Sequence, residues 1–104
     1  MKKEPELTLT NNTERNRFEA HLGDRLAGYS SYQQPDRVVF VHTVVRPEYE
    51  GQGIGSRLAK FAIDDVRDRG LRIKPLCPFI RAYLRRRPEY NEIVDDPKDQ
   101  LAKN

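Results

Sequence analysis

Polar and apolar residues alternate along the first third of the chain, and this pattern predicts β-strands. Residues 7–10 alternate, residues 18–22 alternate again, and turn-forming residues lie between them. Gly23-Asp24 provides a two-residue hairpin turn, because glycine accepts positive φ, and residues 25–32 can return as a third strand. Gly28 inside this third strand can mark a bulge.

A longer apolar run follows over residues 38–45. It consists almost entirely of β-branched and aromatic side chains, which suits a strand covered on both faces, and we expect it to be the central strand. The next apolar residues recur at helical spacing, at Ile54, Leu58, Phe61, Ala62 and Val66. Asp65 and Arg69 form an i,i+4 pair on this helix, and Gly70 is placed to end it.

The last third of the chain predicts a short strand and a second helix. Residues 71–76 favour a strand that stops pairing at Pro75. Because a helix connects it to the central strand, the two strands should be parallel, with a right-handed crossover. Pro78 can stand in the first turn of a second helix, whose apolar side comprises Phe79, Ile80, Tyr83 and Leu84. These patterns predict an α+β fold with a mostly antiparallel sheet, one parallel β-α-β unit and a second, C-terminal helix.

Length and composition restrict the class of protein. The chain has 104 residues, 37% hydrophobic and 34% charged, so we expect one globular domain over residues 1–104. The net charge of +3 is a mild basic bias without the concentrated basic stripe that usually accompanies nucleic-acid binding. We expect no signal peptide and no membrane span, because the sequence has no sufficiently long apolar run. Its single cysteine and the lack of zinc-ligand spacing argue for a cytoplasmic protein without a metal.

Three glycines alternate between the long apolar strand and the first helix. Gly51, Gly53 and Gly55 lie where backbone N–H groups lack helical partners, and the helix N-terminus adds roughly half a positive charge. Such a loop can bind a phosphate or a pyrophosphate, although it can also be a tight turn without a ligand. The spacing fits neither a P-loop nor a Rossmann motif, which leaves the pyrophosphate of an acyl-CoA.

The segment from Val44 to Leu58 resembles the cofactor-binding motif of the GNAT superfamily of N-acetyltransferases. That motif is Arg or Gln, two residues, Gly, one residue, and Gly or Ala, and Gly53 and Gly55 match its glycine positions. Glu50 stands where Arg or Gln is usual, so we assign phosphate binding to the loop backbone. The resemblance covers about residues 7–94, and the strand end Pro75-Leu76-Cys77 is similar to that of a minimal, very short GNAT-like subgroup.

The resemblance implies an enzyme that transfers the acetyl group of acetyl-CoA to a primary amine, without a metal. It implies that the strand end presents its backbone to the pantetheine arm and that the loop amides bind the pyrophosphate. The residues concerned are Val44, Val45, Gly51, Gln52, Gly53, Ile54, Gly55 and Ser56. The alternative is a non-catalytic acyl-CoA-binding or interaction module, and either could be a monomer or a homodimer.

Cys77 is the candidate catalytic residue. It lies between a strand end and a helix N-terminus, which can make a thiolate available, and the resemblance places it near the thioester of the bound acyl-CoA. Cys77 could accept the acyl group transiently, or it could line the pocket while the amine attacks directly, and we favour direct attack. A lone cysteine can also be a small, buried hydrophobic residue.

Other candidates have ordinary structural explanations. Tyr83 could be a general acid, but it does not fall on the superfamily's usual tyrosine position, and packing on the core explains it. His42 could be a base or a hydrogen-bonded strand histidine. Arg81 and residues 85–87 could be a solvated face, or they could bind the 3′-phosphate end of CoA, an acidic substrate or nucleic acid.

Overall fold

Five strands form one sheet in the order β1-β2-β3-β4-β5. They are β1 (Leu7–Asn12), β2 (Arg17–Leu22), β3 (Arg25–Gln33), β4 (Val38–Val45) and β5 (Ile73–Pro75). The helices are α1 (Ile54–Asp68) and α2 (Pro78–Arg85), with 3₁₀ segments at Pro47–Tyr49 and Pro88–Ile93. These elements come from a computed structural model, which describes residues 6–34 and 37–95. Neighbouring strands are antiparallel except for β4 and β5, which are parallel, so the predicted α+β fold is confirmed.

Both helices pack on the same face of the sheet. On that face Phe18 meets Tyr32 and Phe40, with ring centroids 5.1 and 6.0 Å apart. Phe61 of α1 meets Phe18 edge-on at 6.1 Å, and Ile80 of α2 is fully buried in the same core. Within residues 6–34 and 37–95, no helix is long and apolar enough to cross a membrane.

The first helix ends at a glycine, as predicted. Gly70 has φ 74°, a left-handed conformation in which glycine avoids a side-chain penalty. The Gly70 N–H donates to the Arg67 carbonyl at 2.9 Å, and the Leu71 N–H donates to the Val66 carbonyl at 3.1 Å. This is a Schellman motif, and it turns the chain from α1 towards β5.

A bulge in β4 changes the direction of its side chains. The pairing of β3 with β4 skips Val41. The consecutive residues Val41 and His42 therefore point to the same side of the sheet, and both are exposed. Before the bulge, Phe40 faces the helices. After it, Thr43 faces them, and His42 lies on the opposite face beside Tyr29, with ring centroids 6.4 Å apart.

The expectation that this strand is covered on both faces is wrong. Val41 is 38% exposed and His42 is also exposed. Both helices lie on the other face of the sheet, so they leave this one open to solvent. The strand is also not the middle one, since it stands fourth of five, beside the short edge strand β5.

β4 and β5 pair along residues 38–40 and then separate. The N–H groups of Leu76 and Cys77 both donate to the Phe40 carbonyl, at 3.1 and 2.9 Å. Beyond that shared acceptor, β4 continues to Val45. The segment after β5 instead turns into α2, with Cys77 as the N-cap residue of that helix. The second half of β4 therefore extends past β5 towards the glycine loop.

Candidate active site

A cavity of about 340 Å³ opens where β4 ends and α1 begins. Its lining comprises Thr43, Val45, Tyr49, Glu50, Gly51, Gly53, Ile54, Gly55, Ser56 and Phe79. The end of a strand, the glycine loop and the first turn of α2 therefore surround one space.

The glycines of the loop serve two different needs. Gly51 has φ 84° and Gly53 has φ 77°, a conformation that other residues adopt at a cost of about 1–2 kcal/mol. A Cβ added at either position would meet no atom within 4 Å, so the space beside them is open. Gly55 is different, because a Cβ there would lie 2.9 Å from Cζ of Phe79. The first two glycines allow the loop conformation, and the third lets α2 approach α1.

The N-terminus of α1 has free hydrogen-bond donors at the cavity. The first helical hydrogen bond runs from the Arg57 N–H to the Gly53 carbonyl at 3.1 Å, so the earlier N–H groups have no partner within the helix. The N-cap residue is Gly53, which has no side chain to accept from them, and the first turn contains no acidic residue. This end of the helix is therefore positive and suited to an anion.

Most residues predicted to bind the cofactor line this cavity, and two do not. The lining includes Val45 and five of the six loop residues from 51 to 56. Gln52 is exposed and lies outside the lining, and Val44 follows His42 on the open side of the sheet. Glu50 is exposed and does contribute to the lining, which places a carboxylate near the positive helix end.

Cys77 lies behind the cavity rather than in its lining. Its side chain is only 2% exposed, and Sγ is 3.2 Å from Oγ1 of Thr43, which does line the cavity. Oγ1 of Thr43 is also 2.9 Å from Oγ of Ser30, a fully buried residue of β3. The three side chains form a hydrogen-bonded row that reaches the cavity through Thr43.

Sequence reasoning missed three residues of the lining. Thr43 could have been found from its position two residues before Val45, on the same side of the strand. Phe79 belongs to the predicted apolar side of α2, yet it is 41% exposed and packs against the backbone at Gly55. Tyr49 lies in the 3₁₀ turn before the loop, and no pattern in the sequence indicated its direction.

A second, smaller cavity of about 200 Å³ adjoins the first. The two share Ser56 and Phe79, and the second is also lined by Ala82, Tyr83, Arg86 and Arg87. Tyr83 is buried, and the guanidinium of Arg87 lies over its ring, 3.9 Å from the centroid. Two arginines of the basic group predicted on α2 therefore lie beside the glycine loop, whereas Arg81 donates to the Pro75 carbonyl at 3.4 Å.

The open face of the sheet carries a separate polar cluster. Glu19 is nearly buried there and accepts hydrogen bonds from Nε of Arg17 at 2.6 Å and Nδ2 of Asn12 at 3.0 Å. Burial alone would raise the pKa of the Glu19 carboxyl, but these hydrogen bonds outweigh it and the pKa lies below its ordinary value. The cluster stabilises the sheet and does not reach the cavity.

Comparison with known protein families decides the class of the chain. The profile of the GCN5-related N-acetyl-transferase family matches residues 17–93, well over half of the sequence. The chain belongs to this family. The matched region of this acetyltransferase-family protein contains every residue of both cavities, and it supports an acetyltransferase type of function in general. No curated protein matches the chain at a significant level.

The described side chains of the site do not form a metal-binding group. Among the residues that the structure describes, no group of three or more His, Cys, Asp or Glu side chains could hold a metal ion. The groups at the cavity include backbone amides, hydroxyls, two aromatic rings and one carboxylate. They are suited to binding an extended phosphorylated ligand by hydrogen bonds.

Proposed function

We propose that the protein transfers the acetyl group of acetyl-CoA to a primary amine. The observation that carries the proposal is the cavity of about 340 Å³ at the N-terminus of α1, where uncapped N–H groups adjoin open space. A pyrophosphate would supply the acceptors that these donors lack, and the helix end favours its negative charge. The family of the chain supports the same type of chemistry.

The two adjoining cavities suit the parts of a CoA molecule. The backbone of residues 51–56 would bind the pyrophosphate, and Val45 and Phe79 offer apolar surface to the pantetheine arm. The positive charges of Arg86 and Arg87 in the second cavity favour the 3′-phosphate end. The open space beside Gly51 and Gly53 leaves room for such a ligand against the loop.

Direct attack by the amine is the route that we favour. β4 and β5 separate after Phe40, and the face of the sheet that carries His42 is uncovered. We therefore expect the amine to reach the thioester from that face, opposite the helices. No covalent intermediate is needed for this route.

A non-catalytic acyl-CoA-binding module remains the second candidate, and one observation favours it. Glu50 lines the cavity, so its carboxylate opposes the negative charge of a pyrophosphate. Weak binding without turnover would be the outcome that distinguishes the module from the enzyme.

Ligand-dependent thermal unfolding tests the binding part of the proposal. Millimolar CoA and acetyl-CoA should raise the Tm by mass action on the native state, and NAD and ATP should not. Gly55→Val should abolish the increase, because it fills the space between the helix and Phe79. Gln52→Ala is the matched control, since its side chain lies outside the cavity lining. An unchanged Tm with CoA would refute the proposal.

Mass spectrometry with acetyl-CoA and a panel of primary amines tests the catalytic part. We expect acetylated amine to accumulate in proportion to the enzyme present. Binding of acetyl-CoA without any acetylated product across a broad panel would instead favour the module.

A further inference from the structure

The hydroxyl of Thr43 stands between the cavity and the only thiol of the chain. Thr43 lines the cavity, whereas Cys77 is 2% exposed and does not. Their hydroxyl oxygen and sulfur are 3.2 Å apart. A ligand in the cavity would therefore meet Thr43 before it could meet Cys77.

Either atom of each contact of the Thr43 hydroxyl could be the donor, and hydrogen-bond counting favours one arrangement. Its oxygen has two lone pairs and one hydrogen. Ser30, fully buried at 2.9 Å, can donate to one lone pair, and the thiol of Cys77 can donate to the other. This arrangement satisfies both buried donors and leaves the Thr43 hydrogen for a group in the cavity.

We propose that Thr43 is the proton donor to the departing sulfur of the acyl donor, and that Ser30 and Cys77 are positioning residues that act through it. This inference rests on the proposed acetyl transfer. It also assigns Cys77 a role that needs no covalent bond to the acetyl group.

The proton and electron balance of the step is complete. As the amine nitrogen bonds to the acetyl carbon, the carbon–sulfur bond breaks and its electron pair remains on sulfur. Thr43 donates its hydrogen to that sulfur and takes the hydrogen of Cys77, which becomes a thiolate. The nitrogen releases its extra proton to water, and Cys77 regains a proton from water through Thr43 after the product leaves.

Substitutions at Thr43 test the donor. Thr43→Val keeps the shape but removes the hydroxyl, and kcat should fall about 100-fold with acetyl-CoA and a reactive amine, while KM changes little. Thr43→Ser should recover most of kcat. Thr10→Val is the matched control, because Thr10 is exposed on β1 away from the cavity. Its kcat and KM should equal those of the parent. A Thr43→Val enzyme with kcat within about twofold of the parent would overturn the proposal.

Substitutions at Cys77 give a second test, of its positioning role. Cys77→Ser keeps a donor beside the Thr43 hydroxyl and should retain most of kcat, whereas Cys77→Ala removes that donor and should lower kcat while KM changes little. Equal kcat values for the two variants would overturn the relay.

The same experiments separate failure of this inference from failure of the proposed function. If CoA raises the Tm of the parent and of Thr43→Val equally, but their kcat values agree, only the relay is wrong. If CoA does not bind the parent, the proposed function fails. An acetyl group found on Cys77 by mass spectrometry, and lost on addition of amine, would also contradict the relay, because it requires direct access of the thiol to the thioester.

Discussion

Gly55 and Phe79 are in a contact that sets the width of the cavity. A methyl group at Gly55 would come within 2.9 Å of the end of the Phe79 ring, a separation that real Cβ atoms do not tolerate. The ring is half-exposed and can turn away, whereas the helix backbone cannot move easily. A single added carbon is therefore expected to change the cavity rather than the fold.

Gly55→Ala should accordingly weaken CoA binding about tenfold while the thermal stability stays close to that of the parent. The added methyl displaces Phe79 into the space that the pantetheine arm would use. Combining it with Phe79→Leu, which shortens the obstructing side chain, should recover part of the affinity. Calorimetric titration with CoA measures both, and an unaltered Kd for Gly55→Ala would contradict this account of the cavity.

The depressed pKa of Glu19 predicts a loss of stability in acid. Burial opposes ionisation, but the hydrogen bonds from Arg17 and Asn12 outweigh it, so the folded-state pKa is below the value of 4.5 for an unperturbed carboxyl. The stability that the Glu19 carboxylate contributes is fully present above the pKa of this group in the unfolded chain. It is lost as the pH falls through the lower pKa of the folded state.

Glu19→Gln should therefore be less stable than the parent by about 2 kcal/mol at pH 7, and the difference should narrow as the pH falls below 4.5 and through the folded-state pKa. Glu14→Gln, at an exposed turn position, is the matched control and should cost almost nothing. Urea unfolding at a series of pH values measures both, and a difference that is constant with pH would show that the charge of Glu19 is not the cause.

Among the elements, helix α1 is the one that the sequence predicts most completely. Its apolar spacing and its final glycine are local signals, and the observed helix follows both. Its attachment to the C-terminal segment could not be predicted, because it depends on residues far apart in the chain. The Tyr90 hydroxyl donates to Oδ1 of Asp64 at 2.6 Å, and burial together with this hydrogen bond raises the pKa of Tyr90 to about 12.

The role of Gly70 in ending helix α1 can be tested by itself. Gly70→Ala should destabilise the protein by about 1 kcal/mol, because a side chain is strained at φ 74°. Gly70→Asn should cost less, since asparagine tolerates this conformation better. Equal effects of the two substitutions in urea unfolding would mean that the backbone conformation is not the determining factor.

At the scale of the whole molecule, alternation and glycine spacing predicted the mostly antiparallel sheet, its parallel pair and the position of the loop. They could not predict which face of β4 is covered, because an apolar run looks the same whether one face or both are buried. For the same reason they left Thr43 unnoticed. The family resemblance placed Cys77 near the thioester, whereas its sulfur is enclosed behind the Thr43 hydroxyl. Tertiary packing decides these points.

The placement of two arginines beside the glycine loop predicts how the molecule distinguishes CoA derivatives. Arg86→Gln should weaken CoA binding several-fold and leave the binding of 3′-dephospho-CoA unchanged, because the charge acts on the 3′-phosphate. Arg85→Gln is the matched control, since Arg85 is exposed on the same helix but lies outside both cavities. Titrations at low and high salt measure the effect, and equal losses for the two variants would indicate a general charge effect instead.

The bulge at Val41 determines which functional group the cavity receives. Neighbouring residues of a strand point to opposite sides, but at the bulge Val41 and His42 share the open side, and this puts the Thr43 hydroxyl on the helix side. If Val41 paired in regular alternation instead, His42 would face the helices, and a titratable ring would replace a neutral alcohol beside Ser30 and Cys77. In this strand the pairing register, without any change in the side chains themselves, decides the acid–base chemistry of the site.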